Sequence, residues 1–594
     1  MMRRFDPDDR ATPGAGGKVL RRFVHYLKPY RRQNVIAISS ILALTVAELL
    51  PPWLFSRAAT LVTSDDATMR DINVLGAAAA GTLILRAVSS WSQLYHTTWL
   101  GHTVVADLRV ALFRKLQSLS IGYIERRGVG SLMSRIQNDV GVMNDFFSDS
   151  AAAILSRSLI LIGIIVVMFL ANWQLALLAC VVVPPMVLAL RYFRTHALIA
   201  YRRTRTAASM LNADLAESIA GVRVTAAFGQ QDRRFTAFTG LNRNALVASM
   251  TAARQIALAL PVAQLASSIA TALILVGMGR SLFGIEPSVG DIVLFIGLID
   301  RFFEPIRDLS QQFTAVQSTV AASERVFQMI DLEPELQDDP DAIELPPIEG
   351  RVAVSSVTFG YLETPVLRDV TFGAEPGQVI ALVGETGAGK SSIINLLVRF
   401  HDVWEGSVTY DGIDVRAVTQ QSLRSQIALV LQDSFLFSQT VRENIRFGRP
   451  DAGDIEVEQA AVEVGADEFI RRLPLGYDTP VTERGSTLSA GQRQLLSLAR
   501  ALLADRRVLI LDEATSSVDS ETELQIQRGI ARLLKGRTSF VIAHRLSTIR
   551  SADLVLVLQN GEIVERGSHD QLIELGGYYA RLHAAQWQEQ PVAD

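Results

Sequence analysis

The 594-residue sequence predicts an all-α membrane domain of six helices followed by an α/β phosphate-loop domain. Three observations carry that reading. Apolar runs long enough to cross a bilayer crowd the chain up to about residue 320 and are missing after about residue 345. The octapeptide Gly384-Glu385-Thr386-Gly387-Ala388-Gly389-Lys390-Ser391 stands between an all-apolar strand pattern and a helical one. A second apolar strand pattern, further on, ends in the carboxylate pair Asp512-Glu513. A chain of this length also exceeds what one core serves, so at least two domains are expected.

The membrane half comes first. A hydrocarbon core about 30 Å thick needs about 20 helical residues. Segments near 35–57, 74–99, 151–171, 173–193, 257–284 and 289–314 reach that length. The second and sixth are less apolar than a lipid-facing helix and are expected to line the bundle interior. A basic amphipathic stretch at 19–32, with Arg21, Arg22, Lys28, Arg31 and Arg32, precedes the first span and suits a helix lying in the headgroup interface. No charged start followed by a short apolar core and a cleavage site occurs, so no signal peptide is expected.

Orientation follows the basic loops. Arg109, Arg114, Lys115, Arg126, Arg127 and Arg135 lie between spans two and three. Arg202, Arg203, Arg205, Arg223, Arg233, Arg234 and Arg243 lie between spans four and five. Both linkers, and both termini, are therefore expected on the cytoplasmic side. The opposite loops are short or acidic (Asp65 and Asp66; Asn172-Trp173; Glu286 to Asp291). Leu108, Leu112, Leu116 and Leu119, then Leu211, Leu215, Ile219 and Val222, keep a helical apolar period. The membrane helices thus continue beyond the bilayer, and each pair ends in a short transverse segment near 122–130 and 218–228. The expected divisions are a tail at 1–18, the membrane domain at 19–331, a linker rich in Pro, Asp and Glu at 332–350, the nucleotide domain at 351–585 and a tail at 586–594.

In the second half, Val379-Ile380-Ala381-Leu382-Val383 reads as a buried parallel strand feeding the glycine loop, and Ser391 to Phe400 as the helix after it. Glycines admit the backbone amides to phosphate oxygens, and the helix N-terminus adds positive potential. Lys390 would neutralise the β- and γ-phosphates of ATP, and Ser391, followed by Ser392, would ligate Mg2+. Val508-Leu509-Ile510-Leu511 ends at Asp512, placed to hold Mg2+ through water. Glu513 is placed to polarise the attacking water as general base. His544 follows the strand Ser539 to Ala543, where it would contact the γ-phosphate and orient Glu513 or the water. Gln432 follows the strand Ile427 to Leu431, in reach of the metal or the water. Tyr361 is placed to stack on adenine.

Composition excludes other classes. The net charge of -4 argues neither for nor against nucleic acid, but no aromatic-studded basic stripe offers base stacking, so no nucleic-acid partner is expected. The one cysteine, Cys180, permits no internal disulfide or zinc finger and reads as a buried, inert thiol.

Together these motifs resemble ABC transporters. The second half has that family's Walker A loop, the Gln432 loop, the signature Leu488-Ser489-Ala490-Gly491-Gln492, the Walker B strand with Glu513, the loop Ser516-Ser517-Val518-Asp519 and the switch His544. The first half resembles the six-helix domain of exporters of the multidrug and lipid-flippase type (type 1, or type IV). That likeness rests on Val289-Gly290-Asp291, Pro305, Ala322-Ser323-Glu324-Arg325-Val326-Phe327 and Gly130-Ser131-Leu132-Met133-Ser134-Arg135 with Asn138-Asp139. The resemblance implies a head-to-tail pair of nucleotide domains. Ser489, Gly491 and the helix starting near Gln492 would close on ATP held by the other chain's Walker A loop. It also implies that the transverse segments, and Thr482-Glu483-Arg484-Gly485, transmit closure to the helices. With one nucleotide domain and six spans, the chain would be half a transporter needing a second half. The third signature position is commonly glycine and here is Ala490. One methyl should fit, but altered signatures also occur in heterodimeric exporters, so homodimer and heterodimer both stand.

Ionisable residues in or near the spans are Glu48, Arg86, His96, Arg157, Asp300, Arg301 and Glu304. Such groups usually face a bundle interior. Asp300, Glu304 and Asp308 are expected to share one helical face at i, i+4, i+8, with Arg301 expected to pair with Glu304, or with Asp300 across to another helix. They read either as an interhelical ion-pair network or as a polar cargo site, with Glu48, Asp300 and Glu304 as cargo candidates. Three function classes remain: export or flipping of hydrophobic compounds such as drugs and lipids, import on an exporter fold (for example of iron chelates), and a gated channel or regulatory ATPase. The half-size plan without eukaryotic targeting signals suggests a bacterial plasma membrane.

Overall fold

The computed structural model describes residues 16–63, 68–279, 288–432, 434–482, 485, 487–512, 520–543 and 545–587. They form two compact units, residues 1–117 with 130–332, and residues 118–129 with 333–594.

The first unit is all helix. Helix α1 (Gly16–Leu27) leads through a short 3-10 turn into α2 (Arg31–Val62), and α3 (Met69–Ser118) follows. The transverse helix α4 (Ile121–Arg127) belongs to the second unit. Helix α5 (Val129–Ala171) contains two π-turns, at Arg135–Asp139 and Phe146–Ser150. Then come α6 (Trp173–Ala220), α7 (Val222–Ala227), α8 (Gln231–Ala257), α9 (Ala259–Gly279) and α10 (Val289–Asp331).

Five of the six expected spans each lie on one of these helices, and the fifth, 257–284, lies on α9 as far as Gly279. Four, running through α2, α3, α5 and α6, are long and apolar enough to cross a membrane on composition alone. The apolar stretch of α9 is Gln264–Gly277, and residues 280–287 lie outside the described residues. Helix α10 is diluted by Asp300, Arg301, Glu304, Arg307 and Asp308.

Why these helices associate follows from small residues at their crossings. A methyl on Gly290 would stand 2.1 Å from Thr60 Oγ1, one on Gly163 2.4 Å from Leu49 Cδ1, and one on Gly101 2.2 Å from Ser148 Oγ. The buried centre joins Ile160 and Ile164 of α5, Leu175 and Ala176 of α6, Ala270 and Ile274 of α9, and Phe295, Leu298 and Phe302 of α10. Ser288 starts α10 with a reciprocal cap, accepting from the Asp291 amide while the Asp291 carboxylate accepts from the Ser288 amide. Further along α10, Arg325 grips Asp139 of α5 with both arms, at 3.0 and 2.6 Å. Cys180 is only half-buried, beside the break in α6 at Val181-Val182, so it is less enclosed than its apolar run suggested.

Helices α6 and α8 run together, tied by Arg234 to Asp214 and Ser218 at 3.2 and 2.7 Å. Their outer faces leave Met210, Leu215, Ile219, Phe235, Val247 and Met250 exposed in this chain. The short α7 turns between them, from Gly221 to Phe228.

The second unit carries two sheets. An antiparallel one has the order β2-β1-β4-β5, from β1 (Val352–Phe359), β2 (Leu367–Ala374), β4 (Glu405–Tyr410) and β5 (Ile413–Asp414). The larger has the order β10-β9-β3-β8-β7-β6 and is parallel except where β9 meets β10. Its strands are β3 (Val379–Gly384), β6 (Ile427–Val430), β7 (Val508–Asp512), β8 (Thr538–Ile542), β9 (Leu554–Gln559) and β10 (Glu562–Gly567). Both faces of β3 are buried. Ala381 and Val383 enter one core and Ile380 and Leu382 the other, which is why the strand is apolar at successive positions.

Candidate functional site: the strand-end nucleotide cleft

The register of the parallel strands assembles the cleft. Leu382 of β3 lies beside Ile542 of β8, and Ile542 beside Asp512 of β7, while Leu511 of β7 lies beside Val430 of β6. The segments leaving β3, β6, β7 and β8 therefore emerge side by side at one sheet edge, where open α/β sheets bind ligands. These four segments contain the glycine loop, Gln432, Asp512-Glu513 and His544.

Backbone geometry explains the glycines. A Cβ on Gly384 would stand 2.3 Å from the Leu558 carbonyl oxygen, so the loop leaves β3 pressed against β9. Gly389 has φ +107 and lies under Leu367, where a methyl would meet Cδ2 at 2.6 Å. The next residue starts α11 (Lys390–Leu397), whose free amides point into the loop. Lys390 is buried, and its ammonium donates to the carbonyls of Gly384 and Glu385 at 2.7 and 2.9 Å. Burial pulls its pKa below the usual lysine value, and the charge of Asp512 partly offsets this. Glu385, Thr386, Gly387 and Ser391 are exposed, whereas Ala388, Gly389 and Ser392 are buried.

Tyr361 stands over the first turns of α11. Its hydroxyl bonds to Ser392 Oγ at 3.2 Å and accepts from Asn395 Nδ2 at 3.1 Å. The ring packs edge to face with Phe359 and with His401, at 5.1 and 5.3 Å between centroids, and the residue remains 38% exposed. Gln432 and Ser489 are exposed, and Asp512 is half-buried at its strand end. Ser489 opens α12 (Ala490–Ala504) with another reciprocal cap: its hydroxyl accepts from the Gln492 amide and the Gln492 side chain accepts from the Ser489 amide. Gly491 is buried in the first turn. Arg500 of α12 reaches back to the Phe435 carbonyl at 3.2 Å, which ties the segment after Gln432 to the signature helix. Glu513, His544, the 516–519 loop, Glu483 and Arg484 lie outside the described residues.

The comparisons with known proteins agree along both halves. Residues 35–306 match the ABC transporter transmembrane region and 367–516 the ABC transporter family proper. An uncharacterized ABC transporter ATP-binding protein of Bacillus subtilis, YknV, is 40% identical over 95% of this chain and 94% of its own. The chain belongs to the ABC transporters. An ATP-dependent lipid A-core flippase of Syntrophus aciditrophicus is 37% identical over 86% of this chain and 85% of its own. A solved bacterial Atm1-family ABC exporter with ATP bound superposes with a TM-score of 0.76 at 29% identity, covering 94% of this chain and 99% of that one. This ABC transporter is thus a nucleotide-binding, ATPase-coupled translocase and an integral membrane protein with the exporter fold.

The transporter's membrane unit holds a second candidate. Glu48, Arg86, Arg157, Arg301 and Glu304 line one cavity of about 210 Å³. Arg86 lies 3.8 Å from Glu48, and Arg157 pairs with Glu304 and Asp308 at 3.7 and 3.2 Å. Arg301 does not take Glu304 or Asp300 as the sequence suggested. It donates to the Glu48 carbonyl at 2.5 Å, while Asp300 meets Ser267 of α9 at 3.5 Å. The carboxylates do not keep one face: four residues advance a helix by about 40° beyond a full turn, so Asp300 and Asp308 face different neighbours, Ser267 and Arg157. Sequence reading missed Arg157 as the hub, and also His401 beside Tyr361. Neither belongs to a local motif.

Proposed function

We propose that this ABC transporter is one half of an exporter that moves hydrophobic or amphipathic compounds, lipids and drug-like molecules among them, across a bacterial plasma membrane. ATP with Mg2+ would lie between the phosphate loop of one half and Ser489, Gly491 and Gln492 of the other, with both nucleotide domains cytoplasmic. The observation that carries this reading is the exposed N-terminus of α12 at Ser489, capped reciprocally with Gln492 and turned outward in a chain that also owns a complete phosphate loop, as an end able to take a phosphate from another chain would be. The uncovered apolar faces of α6 and α8 support a second half for the same reason.

The donors near the triphosphate fit Mg2+. The Ser391 hydroxyl, the Asp512 carboxylate and the Gln432 amide oxygen are hard oxygen ligands of the kind that ion takes alongside phosphate and water. Bound there, the metal would neutralise charge on the β- and γ-phosphates. The protein's own part is positional. Lys390 leaves two loop carbonyls for the phosphates, Tyr361 stacks on adenine, Glu513 accepts a proton from water and His544 orients it. Nucleotide-driven closure would favour the outward-open bundle, and hydrolysis would release it. Two of the chain's relatives, a lipid A-core flippase and an Atm1-family exporter, favour export.

Purifying the chain alone in lipid nanodiscs tests the pairing. A stable dimer with Mg-ATPase activity identifies the partner as a second copy, whereas an inactive monomer rescued by a different half-transporter identifies a heterodimer. Efficient hydrolysis by a monomer would refute the shared site. Labelled lipid in inside-out vesicles tests direction: ATP-driven accumulation means export, and ATP-driven depletion means import.

A further inference from the structure

His401 lies just past the end of α11 and is held on two sides. One side is the nucleotide face, where its ring meets Tyr361 edge to face at 5.3 Å and Phe359 at 5.4 Å. The other is α4. A methyl on Gly122 would stand 2.6 Å from His401 Cε1, so the imidazole rests directly on the backbone of the transverse helix. A third side is open. A cavity of about 240 Å³ is bounded by Ser120, Arg126, Glu335, Tyr361 and Trp404. The Nε2 atom of His401 is buried with no hydrogen-bond partner among the described residues. The ring is therefore clamped by shape, with free volume into which it can be displaced.

The helix it touches is otherwise anchored by polar contacts at its flank. Ser120 caps the Tyr123 amide and donates to Glu335 at 3.2 Å, and Arg126 pairs with the same Glu335. On the opposite side, Tyr361 is bonded to Ser392 and Asn395 of α11. A continuous line of contact thus runs from the phosphate-loop helix through Tyr361 and His401 to Gly122. Burial keeps the imidazole below the usual histidine pKa, so around neutral pH the contact with α4 is steric rather than an ion pair.

We propose that His401 is a positioning residue that couples occupancy of the adenine position to the transverse helix, by transmitting movement of Tyr361 onto Gly122. This rests on the reading of Tyr361 as the adenine-stacking residue. Nucleotide on the exposed face of Tyr361 fixes the ring, His401 follows, and α4 is held or released accordingly. Linkage makes the effect reciprocal: whatever shifts α4 must change nucleotide affinity by the same factor.

The test uses the full chain in lipid nanodiscs, with Mg2+ and a non-hydrolysable ATP analogue as probe. Amide exchange is followed by mass spectrometry in the peptide spanning Ile121–Arg127, beside analogue affinity. The wild type should show at least a ~5-fold change in exchange on adding the analogue. His401→Ala should abolish that change, and His401→Phe, which keeps a planar ring, should restore it. Gly122→Ala should change analogue affinity at least ~5-fold although it adds no atom to the nucleotide site. A wild-type response in His401→Ala, loss of it in His401→Phe, or unchanged affinity in Gly122→Ala overturns the coupling. Failure of the stacking premise would register elsewhere, as unchanged affinity in Tyr361→Ala.

Discussion

Replacing Tyr361 by alanine removes a partly exposed aromatic ring held beside the phosphate-loop helix. Stacking a base on such a ring contributes about 1–3 kcal/mol by alanine substitution. That converts to a weakening of ATP binding of roughly 5- to 150-fold. Tyr361→Phe isolates the other contribution. It keeps the ring but loses the contacts to Ser392 and Asn395, at 3.2 and 3.1 Å. Each neutral hydrogen bond is worth about 1 kcal/mol net, and these two only orient the ring, so the phenylalanine variant should bind within ~10-fold of wild type. Tyr361→Trp, with a larger surface, should bind at least as tightly as phenylalanine. Affinity is read by titration calorimetry with a non-hydrolysable analogue, and the contrast with GTP serves as an internal scale. If alanine and phenylalanine weaken binding equally, the hydroxyl contacts and not the ring face matter. If alanine leaves affinity unchanged, Tyr361 does not touch the base.

The other expectations about the cleft follow from single contacts. Lys390→Ala removes a cation within reach of the phosphates, and at about 1.5–3 kcal/mol for a charge-assisted hydrogen bond it should weaken ATP binding ~10- to 150-fold, measured by the same titration. Unchanged affinity would remove Lys390 from the site. Glu513→Gln should lower turnover by about 10²–10⁴ while ATP still binds, as expected of a lost general base; near-wild-type phosphate release would exclude that role. The docking of α4 should depend on pH through His401. Burial depresses its folded pKa, and Arg126 adds to the depression, while Glu125, Glu335 and Asp402 oppose it; Tyr361 is the remaining titratable neighbour. Between that lowered value and the ordinary 6.5, the undocked state binds more protons. Docking is therefore fully present above about pH 6.5 and weakens as the pH falls into that window. Exchange in α4 should quicken accordingly, and His401→Phe should flatten the profile. Since His569 and His583 are also depressed by burial, global unfolding would blur the effect.

The phosphate loop was legible because its chemistry is local. Strand, glycine turn and helix start follow one another in sequence, and each is demanded by backbone approach to an anion. Even the misplaced end is informative. The helix read as reaching Phe400 stops at Leu397, because Arg399 takes a left-handed φ of +50 and is drawn inward to Asp402 and the Val418 carbonyl at 3.1 and 2.8 Å. No residue pattern announces that turn. Pairings between distant helices were equally silent. Arg325 and Asp139 were both noticed as family marks, yet their contact joins positions 186 residues apart and depends on how α10 lies against α5. The transverse segment expected near 122–130 groups with the nucleotide-binding unit as residues 118–129, where Gly122 and Tyr123 are buried. Periodicity identifies a helix face, but not which surface will cover it.

The membrane cavity sets a bound on cargo. At about 210 Å³ it is smaller than the roughly 300–1,000 Å³ that encloses a drug-sized molecule. Its charges also nearly cancel. Arg86, Arg157 and Arg301 face Glu48 and Glu304, and Asp308 takes up Arg157 from one side. A lipid-sized cargo therefore cannot be enclosed by the groups of one half, and no excess of one sign draws in a charged one. Glu48 decides between a structural and a cargo role. Its carboxylate is 3.8 Å from Arg86, a loose pair on a half-exposed partner, and its carbonyl rather than its carboxylate holds Arg301. Glu48→Gln should consequently cost the fold little, about 0–1 kcal/mol, as for other loose ion pairs. If Glu48 contacts cargo, the variant should lose cargo-stimulated ATPase while basal hydrolysis and melting temperature stay near wild type. A variant that keeps full stimulation by every lipid and dye that stimulates the parent would return Glu48 to the ion-pair network.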